Sequence, residues 1–286
     1  MELSGVGVWS SQLRYGDVAE SAEVAAELEE LGFQALWIPD VGGPVFDAVR
    51  HLLASTKRVV VATGILNLWM HTPSEVAASY ASLSDAHGDR FLLGIGVSHA
   101  PLVDASEPGR YRKPLVATRT YLDALDATDR PVPVDHLVLA ALGPKMLTLA
   151  ATRAGGAHPY LVTTEHTREA REVLGEGPLL LPEQTVILCD DAAEAHAIGT
   201  DWLRAYLALP NYANNLLRSG FSSDDLASVS DRLFDAIIAW GDEDAILRRV
   251  NEHYAAGADH VCIQVLTPDP TAFPREQWRR IAAAMP

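Results

Sequence analysis

The chain has few residues that could cross-link it or anchor it. Its two cysteines, Cys189 and Cys262, lie far apart among apolar neighbours and do not predict a disulfide framework. Residues 1–4 show no basic region or apolar core, so we expect no secretory signal. No apolar run approaches the ~20 residues that span a bilayer. These absences favour a soluble, cytoplasmic protein.

Positive charge is also scarce. The chain has 22 Lys and Arg against 38 Asp and Glu, which gives a formal net charge of -16. Such a surface has no basic excess to neutralise the phosphates of a nucleic acid or an anionic membrane, so we expect neither partner. A small anionic ligand is still compatible with this balance, because it needs only a local positive field.

Common catalytic motifs are missing as well. The sequence contains no Gly-x-Ser-x-Gly elbow, no His-Glu-x-x-His, no Cys-x-x-Cys and no Walker-type phosphate loop. His158 and His166 lack the helical spacing of metal ligands, and no metal site is predicted. We therefore expect a bound cofactor to supply the chemistry and a small molecule to be the substrate.

What the chain does have is a regular alternation of apolar runs and amphipathic segments. Strands are predicted at residues 3–9, 33–40, 58–65, 91–95, 136–142, 157–162, 185–189 and 260–265. Helices are predicted at residues 17–31, 46–55, 72–87, 115–127, 144–154, 164–174 and 242–256, with an interrupted helical region at 192–240. Eight such units predict an α/β fold, a (β/α)8 TIM barrel forming a single domain over residues 1–286. An open doubly wound sheet is the main alternative.

Two segments exceed the regular repeat. Residues 100–114, rich in Pro, Gly and charge, are predicted as a loop inserted after strand four. The helical region 192–240 is an insertion after strand seven, interrupted at Pro210, Gly220 and residues 222–225. Residues 211–225 are expected to form either a lid over the site or a contact between subunits.

On a barrel, the residues at the carboxyl ends of the strands face the active site. They are Trp9, Asp40, Thr63 to Asn67, Gly96 to His99, Ala140 to Gly143, His158 to Tyr160, and Gln264. The stretch 90–99 is typical of the pattern, because an apolar run leads into Gly94-Ile95-Gly96 and then into Ser98 and His99. Glycines here permit close approach of a flat group to the backbone.

Several of these segments carry a family resemblance. They are Ala35-Leu36-Trp37-Ile38-Pro39-Asp40, residues 61–67, His71-Thr72-Pro73, residues 89–98, residues 139–146, residues 156–160 and Ala256-Gly257-Ala258-Asp259-His260. In this order, the chain resembles the luciferase-like (bacterial-luciferase-like) flavin and deazaflavin oxidoreductases. It is most similar to their coenzyme F420-dependent, actinobacterial branch. The resemblance implies the TIM barrel, the cofactor F420 and, since such proteins are often dimers, a homodimer.

The resemblance also implies cofactor contacts. Asp40 matches the acid after strand two that meets the cofactor, and Gly64-Ile65, following Thr63, matches a non-prolyl cis peptide behind the ring. Gly96 and Ser98 match positions that approach the ring and the ribityl chain. Matches to positions that hold the cofactor's chain and phosphate are Ala140, Ala141, Gly156, Ala157 and His158, with Lys145 as an added cation at a helix start.

The reaction also needs a proton donor or acceptor. His71 and His99 are the candidate catalytic residues, because each follows a strand end and histidine titrates near neutral pH. His71 could instead simply begin a helix, His99 could be an exposed loop residue, and Asp40 could cap a helix. F420-dependent sugar-phosphate and alcohol dehydrogenases carry a His directly after the strand-two acid, where this chain has Val41. They also carry a Glu in the loop after strand four, where this chain has Ser98-His99-Ala100-Pro101.

Three functional hypotheses follow. The first is an F420-dependent oxidoreductase that transfers a hydride between the deazaflavin and a small organic substrate. The second is an FMN-dependent monooxygenase of the same fold. The third is an F420-binding protein without turnover, which the missing His and Glu would explain.

Overall fold

The computed structural model describes residue 1 and residues 3–285. Within them the strands are β1 Gly5–Trp9, β2 Ala35–Ile38, β3 Val60–Thr63, β4 Leu66–Asn67, β5 Phe91–Gly96, β6 Leu137–Leu139, β7 Gly156–Ala157, β8 Leu179–Leu180, β9 Glu183–Leu188, β10 Ile238–Gly241 and β11 His260–Val265. The α-helices are α1 Gln12–Tyr15, α2 Val18–Glu30, α3 Val45–Ser55, α4 Pro73–His87, α5 Ala100–Ser106, α6 Pro114–Asp126, α7 Pro144–Arg153, α8 Thr164–Leu174, α9 Ala192–Leu207, α10 Pro210–Arg218, α11 Ser223–Ser228, α12 Asp231–Ile237, α13 Glu243–Ala255 and α14 Arg275–Ala284. None of the described helices has the length and apolar composition that a membrane span requires.

The strands form one parallel sheet in the order β10-β9-β11-β1-β2-β3-β5-β6-β7-β8, with β4 paired to β5. Only Leu181 and Pro182 separate β8 from β9, yet β8 pairs with β7 while β9 pairs with β11. This chain segment therefore runs from β8 at one edge of the sheet directly into β9, which is next to the strand at the other edge, and the sheet curls into a barrel. The predicted (β/α)8 TIM-barrel fold is confirmed, whereas the assignment of residues 1–286 to a single domain stays a prediction.

Two layers of apolar side chains hold the barrel together. One set from successive strands fills the interior and includes Trp37, Leu92, Val138 and Cys262. The alternate residues of the same strands pack outward against the helices, as Leu36 and Leu93 do. Because side chains on a strand alternate between its two faces, runs buried on both faces read as uninterrupted apolar sequence.

Helix starts follow the local sequence. Asp17 accepts a hydrogen bond from the backbone of Glu20 at the start of α2. Thr72 and Glu75 form a capping box at the start of α4, with Pro73 in its first turn.

Both predicted insertions differ in detail from the structure. Residues 100–106 of the predicted loop form α5, because Pro101 lies in the first turn, where proline is compatible with a helix. The segment 222–225 begins α11 through a capping box of Ser222 and Asp225 instead of interrupting a helix. Helical structure also ends before residue 240, because residues 238–241 form β10 and pair with β9.

Among the elements that have no counterpart in the sequence prediction are β4, which lies outside the predicted strand at 58–65, and β8, α1 and α14. The short β8 occupies the edge beside β7, where tertiary pairing outweighs the weak pattern of two residues. α1 is a single turn. α14 buries Trp278 and Ile281 against the barrel although half of its ten residues are polar.

Candidate functional site

A cavity of about 740 Å³ lies at the carboxyl ends of the barrel strands. Residues that follow β2, β3, β5, β6 and β7 line it, together with Trp9 at the end of β1. Residues from α9 and α10 cover it from the other side. The cavity is therefore where a TIM barrel carries its chemistry.

Of the fourteen residues that the sequence predicts for the site, eight line this cavity: Asp40, Gly64, Ile65, Ser98, His99, Ala140, Ala141 and His158. The other six do not line it: Thr63, His71, Gly96, Lys145, Gly156 and Ala157. Gly156 and Ala157 form β7, and Lys145 is exposed on the first turn of α7. The functional roles of all fourteen stay predictions.

Asp40 is a buried carboxylate with one occupied and one free oxygen. Its Oδ2 accepts hydrogen bonds from the backbone N–H of Asn67 at 3.1 Å and from Nε2 of His71 at 2.8 Å. Its Oδ1 is buried and has no partner among the described residues. α3 begins after Pro44 without a side-chain cap, so Asp40 does not cap that helix. The free oxygen is available to a ligand.

His71 lies behind Asp40 and reaches the cavity only through it. The side chain is 17% exposed, and its ring contacts Phe46 edge-on at 5.8 Å. The backbone carbonyl of His71 accepts a hydrogen bond from the Tyr121 hydroxyl at 3.0 Å, which fixes the residue. His71 and Asp40 thus form a pair that connects the protein surface to the cavity.

His99 faces the cavity directly. Its Nδ1 is buried without a partner among the described residues, and its ring lies 4.9 Å from the ring of Tyr212. Burial lowers the pKa of His99 to about 4. The sequence suggests titration near neutral pH, but desolvation disfavours the imidazolium form, so His99 is neutral at pH 7.

His158 presents an acceptor to the cavity. Its Nδ1–H donates to the carbonyl of Leu181 at 2.7 Å, and its ring stacks on Trp37 at 4.3 Å. Burial lowers the pKa of this imidazole to about 4. Its Nε2 therefore carries a lone pair, and this atom is buried without a partner among the described residues. The ring, not only the backbone, is placed to contact a ligand.

Gly64 lies between two rigid rings. The Gly64–Ile65 peptide is cis, and the indole Nε1 of Trp9 donates to the Gly64 carbonyl at 2.9 Å. A Cβ on Gly64 would lie 2.7 Å from Nε1 of Trp9 and 3.0 Å from Nε2 of His158. Gly96 has a different role, since its missing side chain makes room for Ile65 and Ala140 at 2.8–2.9 Å. Ile65, and not Gly96, faces the cavity.

The start of α7 and Arg218 form a positive corner of the cavity. Gly143 is the N-cap residue of α7 and provides no side-chain cap. Pro144 has no N–H and the Met146 N–H donates to the Gly143 carbonyl at 3.0 Å, so the N–H of Lys145 is the donor that this first turn can offer to a ligand. A Cβ on Gly143 would lie 3.6 Å from Nη2 of Arg218, which also donates to Oδ1 of Asn215 at 2.8 Å. A helix start beside a guanidinium favours an anion.

Sequence reasoning missed Arg218 and the tyrosines of the covering helices. Tyr206 on α9, and Tyr212 and Arg218 on α10, all line the cavity. Asn211, at the start of α10, donates from Nδ2 to the carbonyl of Ser98 at 3.1 Å and so ties α10 to the end of β5. The amphipathic pattern of α10 signals a buried face, but it does not show what that face covers.

Tyr160 links the barrel interior to the covering helices. Its hydroxyl donates to Oε1 of Gln264 at 2.6 Å and lies 3.0 Å from the hydroxyl of Tyr206. The next residue, Leu161, has a φ of +57°, which is unfavourable for a branched side chain. Its N–H donates to Oε2 of Glu183 at 3.2 Å. Glu183 therefore holds the turn that places Tyr160.

Removing this carboxyl group should destabilise the protein. Burial raises the pKa of Glu183 to about 7, and the Thr185 hydroxyl donates to its Oε1 at 2.6 Å. Glu183→Leu leaves both donors unsatisfied, so we expect a loss of about 2–3 kcal/mol in the free energy of unfolding, measured by urea denaturation. Glu183→Gln keeps an acceptor and should lose less. Equal stability of the two variants would contradict this role.

Among the described residues, no group of His, Cys, Asp and Glu side chains is arranged to hold a metal ion.

Comparisons with known proteins identify the family. The sequence profile described as luciferase-like monooxygenase matches residues 3–260. A Mycobacterium tuberculosis protein named as a coenzyme F420-dependent oxidoreductase is 24% identical, over 97% of this chain and 96% of that protein. An F420-dependent secondary alcohol dehydrogenase, solved with an F420–acetone adduct, superposes with a TM-score of 0.76 at 16% identity, covering 100% of this chain and 98% of its own.

A flavin enzyme shares the fold too. The oxygenating constituent of 3,6-diketocamphane monooxygenase from Pseudomonas putida, solved with FMN, has a TM-score of 0.69 at 14% identity, covering 98% of this chain and 96% of its own. Because the family profile spans most of the sequence, this chain belongs to the luciferase-like monooxygenase family.

Proposed function

We propose that this protein is an F420-dependent oxidoreductase that transfers a hydride between the deazaflavin and a small organic substrate. The observation that carries the proposal is a single cavity that combines a positive corner with unpartnered buried acceptors. The similarity to the M. tuberculosis protein over nearly the whole chain supports F420 as the cofactor. A homodimer and a cytoplasmic location belong to the same proposal.

The positive corner fits the phosphate of F420. Gly143 supplies the uncapped start of α7, and Arg218 supplies a guanidinium beside it. The helix dipole and charge-assisted hydrogen bonds both favour an anion there.

The opposite wall fits a planar ring and its hydroxyl-bearing chain. Oδ1 of Asp40 and Nε2 of His158 are acceptors without partners among the described residues, and the N–H and O–H groups of the cofactor are donors. Gly64 and Ile65 line the cavity beside Trp9 and His158, so a flat group in the cavity can lie against this part of the backbone. A buried polar atom without a partner is costly, so a ligand that satisfies both acceptors gains affinity.

When bound, F420 supplies a ring carbon that carries the hydride. This chain's residues then hold the substrate and handle the proton. His71 holds a proton at Nε2, hydrogen-bonded to Asp40, while the free Oδ1 of Asp40 faces the cavity. His99, neutral at pH 7, can donate or accept a hydrogen bond but carries no charge. A substrate whose oxygen gains or loses a proton suits this arrangement.

Binding titrations test the proposal. We expect oxidised F420 to quench the fluorescence of Trp9 and to bind at least tenfold more tightly than FMN. Trp9→Phe should reduce the quenching without abolishing binding. Tight binding of FMN with none of F420, together with oxygen consumption on adding reduced FMN, would favour the monooxygenase alternative. If F420 binds and no alcohol, aldehyde or enone changes its absorbance, the protein binds F420 without turnover.

Arg218 provides a specific prediction. Arg218→Ala should weaken F420 binding about tenfold to hundredfold, because it removes a charge-assisted hydrogen-bond donor from the phosphate site. Arg218→Lys should recover part of the loss. Arg204→Ala is the matched control, since Arg204 is exposed on α9, pairs with Asp201 and does not line the cavity. Equal affinity of the Arg218 and Arg204 variants in isothermal calorimetry would contradict the phosphate site.

A further inference from the structure

The mouth of the cavity is apolar and exposed. Tyr15 is 48% exposed, Val41 67% and Leu102 52%, and all three also line the cavity. We call these three residues the apolar rim. A ligand that covers large apolar side chains removes them from water, and this lowers the free energy of the complex. The rim is continuous with the cavity, so a ligand inside can extend over it.

The rim is held in place by its neighbours. The Tyr15 hydroxyl accepts a hydrogen bond from the backbone N–H of Val41 at 2.9 Å. Arg14 donates to the carbonyl of Gly42 at 2.8 Å, and its guanidinium lies 4.8 Å from the centre of the Tyr15 ring. The helix α1 that follows β1 is thereby joined to the loop that follows β2. The part of the rim formed by Tyr15 and Val41 is therefore a preformed surface.

The cavity lining has few charged side chains that could pair with a charged substrate. Among the described residues that line it, Arg218 is the one Arg or Lys side chain and Asp40 is the one carboxylate. The proposed cofactor phosphate takes Arg218. His99 and His158 stay neutral at pH 7, because burial lowers the pKa of each to about 4. A second phosphate or carboxylate group would therefore have no positively charged side chain of the cavity lining to pair with.

The covering helices add further apolar surface. Tyr212 faces the cavity from α10, Leu209 from the residue just before α10, and Tyr206 from α9. Their rings form an aromatic wall, with Tyr206 5.6 Å from Tyr212 and 5.4 Å from Tyr160. Tyr and Leu side chains favour contact with alkyl or aryl groups over contact with a polyhydroxylated molecule.

We propose that the substrate is an uncharged carbonyl compound or alcohol with a medium-length or long apolar chain, and that the chain lies along the aromatic wall and the apolar rim. The redox chemistry of the carbonyl group rests on the function proposed above. Recognition of the apolar chain rests on the cavity alone. The two parts can be measured separately.

The test is a homologous series of methyl ketones, from butanone to decanone, titrated with and without saturating F420. Tryptophan fluorescence and calorimetry report binding. We expect affinity to rise about fourfold per methylene, the increment for burying one such group. Decanoate, with a similar chain and a negative charge, should bind more weakly than decanone. An affinity that does not change with the chain length of the ketone, or decanoate binding as tightly as decanone, would overturn the proposal.

Variants test whether the apolar chain of the substrate lies on the apolar rim. Val41→Asp combined with Leu102→Asp should weaken decanone binding about tenfold and leave butanone unchanged. Val116→Asp is the matched control, because Val116 is 57% exposed and does not line the cavity. Val41 and Leu102 are both exposed, so the double variant should stay folded, which circular dichroism measures. If the double variant changes the oligomeric state while ketone affinity is unaffected, the rim is a subunit contact and the proposal fails.

The F420 titration separates this proposal from the function. If F420 binds and the ketone series is flat, the apolar-substrate proposal falls and the proposed function stands. If F420 does not bind and the series rises with chain length, the proposed function falls and the apolar recognition stands.

Discussion

Gly94→Ala is expected to lower the free energy of unfolding by about 3 kcal/mol, the upper range for overpacking a buried site. A Cβ on Gly94 would lie 2.0 Å from the backbone carbonyl oxygen of Thr63, and a backbone atom cannot move aside as a side-chain end can. The Thr63 hydroxyl also donates to the Gly94 carbonyl at 2.8 Å and accepts from the Gly94 N–H at 2.9 Å. The added methyl group would push β3 away from β5 beneath the cavity.

Thermal unfolding measures this effect. We expect a decrease in Tm of about 6–12 °C for Gly94→Ala. Gly143→Ala serves as the control, because its Cβ meets its nearest neighbour, Arg218, at 3.6 Å, an ordinary contact. The control should lose less than about 1 kcal/mol. A Gly94 variant as stable as the Gly143 variant would show that β3 and β5 do not require this close approach.

Acidification from pH 6.5 to 4.5 is expected to destabilise the protein strongly. Burial lowers the pKa of six histidines, His87 and His166 among them, and in four the pKa falls below this window: His99 to about 4, His158 to about 4, His253 to about 3 and His260 to about 4. In the unfolded chain each titrates near 6.5, so in this window the unfolded state binds more protons than the folded state. Stability contributed by these neutral histidines is present above pH 6.5 and is lost as the pH falls.

Glu183 changes the stability with pH in the direction opposite to the histidines. Burial raises its pKa to about 7 in the folded state, above the value of 4.5 in the unfolded chain. Its contribution is therefore present below pH 4.5 and is lost as the pH rises towards 7. Four groups against one give a net uptake of about three protons on unfolding near pH 5.5, so stability should fall on the order of 4 kcal/mol per pH unit. Carboxylates whose pKa values are lowered, such as that of Glu29, act below this window.

Tm measured at intervals between pH 7.5 and 4.5 tests the linkage. His253 is a suitable variant because its ring bonds to Thr167 at 2.8 Å and to Gln184 at 2.9 Å, far from the cavity, and glutamine can replace a polar ring. His253→Gln should reduce the proton uptake by about one. A Tm that does not change over this range would contradict the neutral state of the buried histidines.

Much of the fold could be predicted because the barrel repeats one local pattern. The apolar run before Gly94 is buried on both faces, and this is what an uninterrupted apolar strand indicates. β10 could not be predicted, since its apolar residues follow helix α12 directly and only pairing with β9 makes them a strand. α5 was hidden by Pro101, which favours a loop in most contexts but is compatible with the first turn of a helix.

The candidate site likewise has residues that could be predicted from the sequence and residues that could not. Residues such as Asp40 and His158 follow parallel strands, whose carboxyl ends must meet, so their position on the cavity follows from the fold class. Arg218 comes from a helix over a hundred residues away from Asp40 in sequence, and only the folded chain brings it to Gly143. The neutrality of His99 depends on burial by Tyr212 and its surroundings, which no local pattern reveals.

A crystal structure of the protein soaked with F420 tests the central claim most directly. We predict the phosphate at Gly143 and Arg218, and the ring against Gly64 and Ile65, with Oδ1 of Asp40 and Nε2 of His158 within hydrogen-bond distance of the ligand. Soaking with FMN under the same conditions should leave the cavity empty or partly filled. Full occupancy by FMN, or F420 bound away from the carboxyl ends of the barrel strands, would contradict the account.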